Sequence, residues 1–211
     1  GLNLVVSGHG PEALLLDVDG RVLHSWRRPC RDAFPELKDA DAPRYQYFRR
    51  AHLLPEGDLL AIYEGSGLVR LDRDSNIAWA WPGRAHHDLD VWPDGRIVVL
   101  TRRVRVVERL DPAQPVSEDF VAELSPDGKV LRSLSLLEAL EATLGPAEAL
   151  ALARAAIAPW RGDIFHTNTA QLITPERAAW WPLAQPGDVL VSLRNIDRIV
   201  VANMGPRGGG D

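Results

Sequence analysis

The stretch GRAHHDLDVWPDGRIVVL, Gly83 to Leu100, decides how the chain is read. Leu89 and Val91 alternate with Asp88 and Asp90, the period of a half-buried strand. Pro93 then sets the first turn dihedral and Gly95 supplies the positive φ that closes the turn. Ile97 to Leu100 resume the strand, so the whole predicts a β-hairpin. Two of the chain's six histidines, His86 and His87, stand side by side at its mouth.

Working outward, AHLLPEGDLLAIY (Ala51 to Tyr63) repeats this hairpin, and Pro55 and Pro93 lie 38 positions apart. A second hairpin type alternates with it: LLLDVDGRVLHSW (Leu14 to Trp26), LVRLDRDSNIAWAW (Leu68 to Trp81) and VAELSPDGKVLRSL (Val121 to Leu134). IFHTNTAQLIT, an insertion, then GDVLVSLRN and RIVVANM make a fourth unit. The spacing is near the repeat of about 40–45 residues of a four-stranded propeller blade. The expected fold class is therefore all-β, a β-propeller built of two-hairpin units, with a β-sandwich as the structural rival. One domain is expected over residues 1–211, a partial propeller stopping inside its fourth unit. Both ends are expected to be cut, and NMGPRGGGD (203–211) reads poorly as a further hairpin.

Two segments depart from the β pattern. LSLLEALEATLGPAEALALARAAIAPW, Leu134 to Trp160, is rich in strong helix formers and predicts a helical insertion over about 135–158. Gly145-Pro146 divides it into two helices, and Leu150, Ala153 and Ile157 share one expected buried face. RRPCRDAFPELKDADAPRYQY, residues 27–47, is polar and broken by prolines, and reads as a long loop between blades.

Composition bounds the function. With 211 residues, 45% of them hydrophobic, the chain can bury a substantial core. A net charge of -5 argues against nucleic acid as a partner. No apolar run approaches the roughly 20 residues of a membrane-spanning helix. Cys30 is the single cysteine, so an internal disulfide and thiolate metal centres are both excluded. Such usage fits a reduced compartment and also an exported protein without disulfides.

In a propeller the inner strands converge on a central channel, and residues at their entry ends line its mouth. His86 and His87 precede one inner strand. His166, in GDIFHTNTA, takes the same place in the next unit, and Arg194, in VSLRNID, ends that unit's inner hairpin. Arginine offers a planar fork to sulfate, phosphate or carboxylate oxygens. Histidine binds an oxygen, shuttles a proton or acts as nucleophile near neutral pH. Asn168 either orients the His166 imidazole or caps a turn. Neighbours on a strand face opposite sides, so one of His86 and His87 is expected in the channel. A metal reading takes His86, His87 and His166 with Asp88 or Asp90 as ligands; the preferred site holds no metal and no cofactor. His9, His24 and His52 read as turn or strand residues. Trp79, Trp81 and Trp92 read as packing between blades, whereas Trp180-Trp181 either pack in the same way or floor an aromatic-substrate pocket.

RAHHDLDVWPDGRIVVLT, GDIFHTNT and GDVLVSLRNIDRIVV, in this order, resemble the bacterial arylsulfate sulfotransferase family, and SGHGPEALLLDVDGRVLHSW resembles the start of its catalytic region. The resemblance implies a six-bladed propeller that moves a sulfuryl group from a phenolic sulfate ester to a phenol through a sulfohistidine, without a nucleotide cofactor. It also implies a periplasmic or extracellular location. Its supporting residues carry over to His87 (or His86), His166 and Arg194, with His87 preferred because Asp88 completes the family's His-Asp pair. The family's nucleophilic histidine belongs to a later blade, and no histidine follows Arg194 here. The expectation is a truncated chain, inactive alone, whose open sheet edges favour self-association into homo-oligomers. Two alternatives stand: a non-catalytic propeller used as a binding platform, and a metal-dependent hydrolase.

Overall fold

A computed structural model describes residues 1–205. The described chain is mostly β, arranged in four antiparallel sheets whose strands follow sequence order. Two compact units divide it: residues 1–89 with 125–129, and residues 90–124 with the described residues from 130 on.

The first unit opens with a three-stranded sheet, β1 (Asn3–Val6), β2 (Glu12–Leu16) and β3 (Val22–Arg27). A four-stranded sheet follows, β4 (Arg50–Leu53), β5 (Leu59–Tyr63), β6 (Gly67–Leu71) and β7 (Ile77–Trp81). Strand β5, LLAIY, is buried at every residue, as a central strand covered on both faces must be. The outer strand β3 keeps only Trp26 fully inside. Between the two sheets, residues 28–49 run mostly as the long loop that polarity and prolines predict, with the short helix α1 (Cys30–Ala33) and a single 3-10 turn at Pro43–Tyr45. Apolar residues spaced among the charges anchor it: Cys30, Phe34, Tyr45 and Phe48 all join the core. Phe34 and Phe48 pack edge-on against Tyr63, with ring centroids 5.9 and 5.2 Å away, and the Tyr63 hydroxyl donates to the Arg28 carbonyl. Each such buried side chain contributes on the order of 1.5–3 kcal/mol.

Strand β8 (Ala85–Val91) leads out of the first unit into the second. It forms a sheet with β9 (Ile97–Val107), β10 (Asp111–Leu124) and β11 (Val130–Ser135). Helices α2 (Leu136–Leu144) and α3 (Pro146–Ile157) then stand where composition places them. Ser135 caps α2 by accepting from the Glu138 N–H, worth about 1 kcal/mol. The buried stripe of α3 is Ala149, Ala153 and Ala156, with Leu150 and Ile157 only partly covered. Small residues let the helix sit close to its support, which displaces the larger pair to the edge. The last sheet is β12 (Thr167–Leu172), β13 (Val189–Leu193) and β14 (Arg198–Ala202). The insertion between β12 and β13 carries α4 (Pro175–Trp180), and Trp180 is 90% exposed on it.

The hairpins of the Pro-Glu-Gly and Pro-Asp-Gly type close the same way. In the opening stretch, the Gly95 N–H donates to the Trp92 carbonyl and the Trp92 N–H to the Arg96 carbonyl, with Gly95 at φ 84°. This is a tight turn followed by one left-handed residue, a position glycine takes without steric cost. The turns at Leu54–Asp58 and Ser125–Lys129 repeat the bonds. Trp92 is buried, while Trp79 is half-buried and donates its indole N–H to the Pro126 carbonyl at 3.1 Å. The reading of residues 203–211 extends past Gly205, and residues 206–211 lie outside the described residues.

Candidate functional site

In the first unit, the end of β5 and the start of β8 are held together by backbone. The Gly65 N–H donates to the Ala85 carbonyl at 2.8 Å and the Arg84 N–H to the Ser66 carbonyl at 3.0 Å. Glu64, one residue before this clamp, therefore stands beside His86 and His87. The His87 N–H donates to Glu64 Oε2 at 3.2 Å, and His87 Nδ1 lies 3.6 Å from Glu64 Oε1. His87 has φ 51°, the left-handed region, at a cost of order 1–3 kcal/mol for a non-glycine residue.

That dihedral overturns the strand-alternation expectation for the histidine pair. Both rings turn to the same place, Nδ1 to Nδ1 at 3.0 Å and centroids 5.2 Å apart. His86 is 1% exposed and His87 lies mostly inside. Arg49 Nε stands 3.5 Å from Glu64 Oε2, and Arg50 Nε 3.0 Å from Asp88 Oδ1, so each carboxylate has a cation at its rim. A cavity of about 530 Å³ in the same unit is lined by Phe34, Tyr45, Pro82, Arg84 and the Gly65-Ser66 turn next to Glu64. Apolar rings with a few polar groups are the usual lining for a small-molecule site.

In the second unit, His166 stands just before β12 with φ 49°. Asp163 holds it twice, accepting from its backbone N–H at 3.1 Å and from ring Nδ1 at 2.6 Å. A carboxylate only accepts, so Nδ1 carries the proton and Nε2 is the accepting nitrogen of the neutral ring. Asn195 ties the next strand's end to this turn: its N–H donates to the Phe165 carbonyl at 3.0 Å and its Nδ2 to the Asp163 carbonyl at 2.6 Å. Its neighbour Arg194 is thereby set beside the histidine turn. The Arg194 guanidinium is exposed and lies over the Trp160 ring, 4.7 Å from the centroid. Such stacking holds the planar fork in place while its N–H edge faces solvent. The Thr167 N–H donates to Asp119 Oδ2 at 3.3 Å, and Asp119 is 1% exposed. Asn168 sits at a register shift of β12, between Thr167 and Ala170.

His86 and His87 thus meet in one unit, and His166 and Arg194 adjoin in the other. Sequence reasoning missed Glu64, Asp163, Asn195 and Trp160. Asp163 alone had a local signal, an acid three residues before a histidine. The metal set His86, His87, His166 with Asp88 or Asp90 is not the group the fold assembles around the pair: among the described residues, Glu64, His86 and His87 bring their ligand atoms within 4.8 Å of one another. His24 packs edge-on against Trp26 at 4.4 Å and its Nε2 bonds the Arg73 carbonyl at 2.8 Å, as a structural residue.

No curated protein matches the chain. A family model, Arylsulfotransferase (ASST), matches residues 61–205, which takes in both histidine clusters and Arg194. The chain belongs to the arylsulfotransferase family.

Proposed function

We propose that this chain is an aryl-sulfate sulfotransferase with its sheets arranged as propeller blades, in which His166 and Arg194 of the second unit bind the sulfuryl group as it passes from a phenolic sulfate ester to a phenol, with His87 of the first unit as a candidate tested by itself. The observation that carries the reading, beside the family match, is a shared backbone device. His87, the third residue of β8, and His166, the residue before β12, take φ 51° and 49° near the start of the leading strands of consecutive sheets. A left-handed histidine is costly at one position, and its recurrence near the start of two leading strands supports a site.

Arg194 supplies two parallel N–H donors for sulfuryl oxygens, and Trp160 keeps the fork from collapsing onto a carboxylate. His166, oriented by Asp163, offers Nε2 to a phenolic proton, taking it from the acceptor or returning it to the leaving oxygen. The positive Arg194 guanidinium offsets charge that shifts during transfer. The cavity walled by Phe34 and Tyr45 has the size and lining for an aromatic ring. Export to the periplasm or beyond accords with this reading, as does the lack of cofactor in the family's chemistry.

The resemblance implies a nucleophilic histidine on a hairpin after Arg194, and His166 is the last histidine of these 211 residues. The 211-residue polypeptide, tested as such, is expected to bind 4-nitrophenyl sulfate and to release no 4-nitrophenol to a phenolic acceptor. Calorimetry with the ester, and absorbance of released 4-nitrophenol, check the two halves. Steady turnover by the purified polypeptide would place the nucleophile on His87 or His166, and absence of binding would remove the site assignment.

A further inference from the structure

The Glu64–His86–His87 cluster gathers three side chains of metal-ligating type in one place. Its donor atoms are two imidazole nitrogens 3.0 Å apart and a carboxylate oxygen 3.6 Å from the second of them. An ion about 2.0–2.1 Å from each of three N/O ligands separates those ligands by about 2.8–3.4 Å, the range between octahedral and tetrahedral angles. The first spacing falls within that range and the second just above it, and all three ligand atoms lie within 4.8 Å of one another, so the side chains gather round one ion by closing inward.

Three further facts agree. The cluster is almost dry: the Glu64 and His87 side chains are 16% and 11% exposed, and His86 is 1% exposed. The left-handed φ of His87 is what turns the two rings together, a local cost that a bound ion would offset. Arg49 holds Glu64 Oε2 and leaves Oε1 toward the imidazoles, the carboxylate orientation that an outer-sphere partner provides in metal centres.

We propose that Glu64, His86 and His87 form a binding site for one divalent first-row transition metal ion, with Zn2+ as its natural occupant. Two imidazoles and one carboxylate suit zinc and its neighbours, whereas calcium and magnesium demand oxygen-rich shells. Three protein ligands leave at least one coordination position open to water or an anion.

The test uses the full 211-residue polypeptide, stripped with a chelator and dialysed against ZnCl2. One equivalent of zinc is expected to bind, with Glu64→Gln and His86→Asn each weakening affinity at least tenfold, while His9→Asn, far from the cluster, leaves it unchanged. Should His86→Asn fail to fold, Co2+ absorption of the wild-type protein and of Glu64→Gln decides. A visible d–d spectrum that Glu64→Gln alters supports the site. No stoichiometric zinc in the wild type, or zinc retained unchanged in both variants, overturns it. The readout is metal content, so it does not depend on sulfuryl transfer.

Discussion

Asp163 accepts from His166 at two atoms, the ring Nδ1 at 2.6 Å and the backbone N–H at 3.1 Å. One carboxylate thus fixes both the left-handed turn and the ring's orientation. Asp163→Asn keeps one acceptor for the backbone and loses the charged partner of the ring. It is expected to weaken 4-nitrophenyl sulfate binding about tenfold with little loss of stability. Asp163→Ala also strips the turn of its acceptor and should cost about 1–2 kcal/mol in urea unfolding.

Arg194 differs from a surface arginine in having Trp160 beneath it. Arg194→Ala is expected to weaken binding of the sulfate ester by about 10–100-fold. Arg194→Lys should recover only part of that, because an ammonium neither stacks as a plane nor donates as a fork. Trp160→Ala should fall between wild type and Arg194→Ala. Calorimetric titrations of the three variants check the order, and equal affinity in Arg194→Ala would remove the residue from the site.

Gly67 begins β6 with no room above its Cα: a Cβ there would lie 2.1 Å from the Trp81 carbonyl oxygen and 2.8 Å from the Phe34 ring. The obstacle is backbone, which cannot swing aside as a side-chain tip can. Gly67→Ala is expected to destabilise the fold by about 1–3 kcal/mol, the range of overpacked cores. Gly145→Ala, in open space but at φ 86°, should cost less and only through backbone strain. Thermal melts of both rank them.

Cys30 is fully buried, and burial pushes its thiol up from 9.0 to about 11, partly offset by the nearby Ser66 hydroxyl. The folded state therefore keeps the proton where the unfolded chain loses it. Stability from this group is complete below about pH 9 and is lost as pH rises toward 11. Burial likewise raises the Tyr63 hydroxyl, so both act in one direction. Urea midpoints are expected to fall between pH 8.5 and about 10.5, and less steeply in Cys30→Ala. At pH 8 the native thiol should resist a disulfide reagent until denaturant is added.

The hairpins were legible because each depends on residues a few positions apart. Pro93, Asp94 and Gly95 close their turn with bonds between Trp92 and Arg96. The helices of residues 136–157 were legible for the same reason, since propensity and Gly145-Pro146 act within one or two turns. Residues 28–49 were legible as a long loop from their prolines, but the core positions of Phe34, Tyr45 and Phe48 depend on distant contacts that average polarity does not reveal.

Histidines 86, 87 and 166 and Arg194 could be picked out by residue type and repeated place alone. What surrounds them could not. Glu64 reaches the histidine pair only because the Gly65 N–H bonds the Ala85 carbonyl, a contact across twenty residues. Asn195 finds Asp163 across thirty-two. The alternation of side chains along a strand is a local rule, and His87 escapes it through a left-handed dihedral. Its cost of roughly 1–3 kcal/mol is one that no neighbour in sequence would support. Local chemistry therefore determined the strands, turns and candidate residue types, while long-range backbone bonds decided which of those residues share a site.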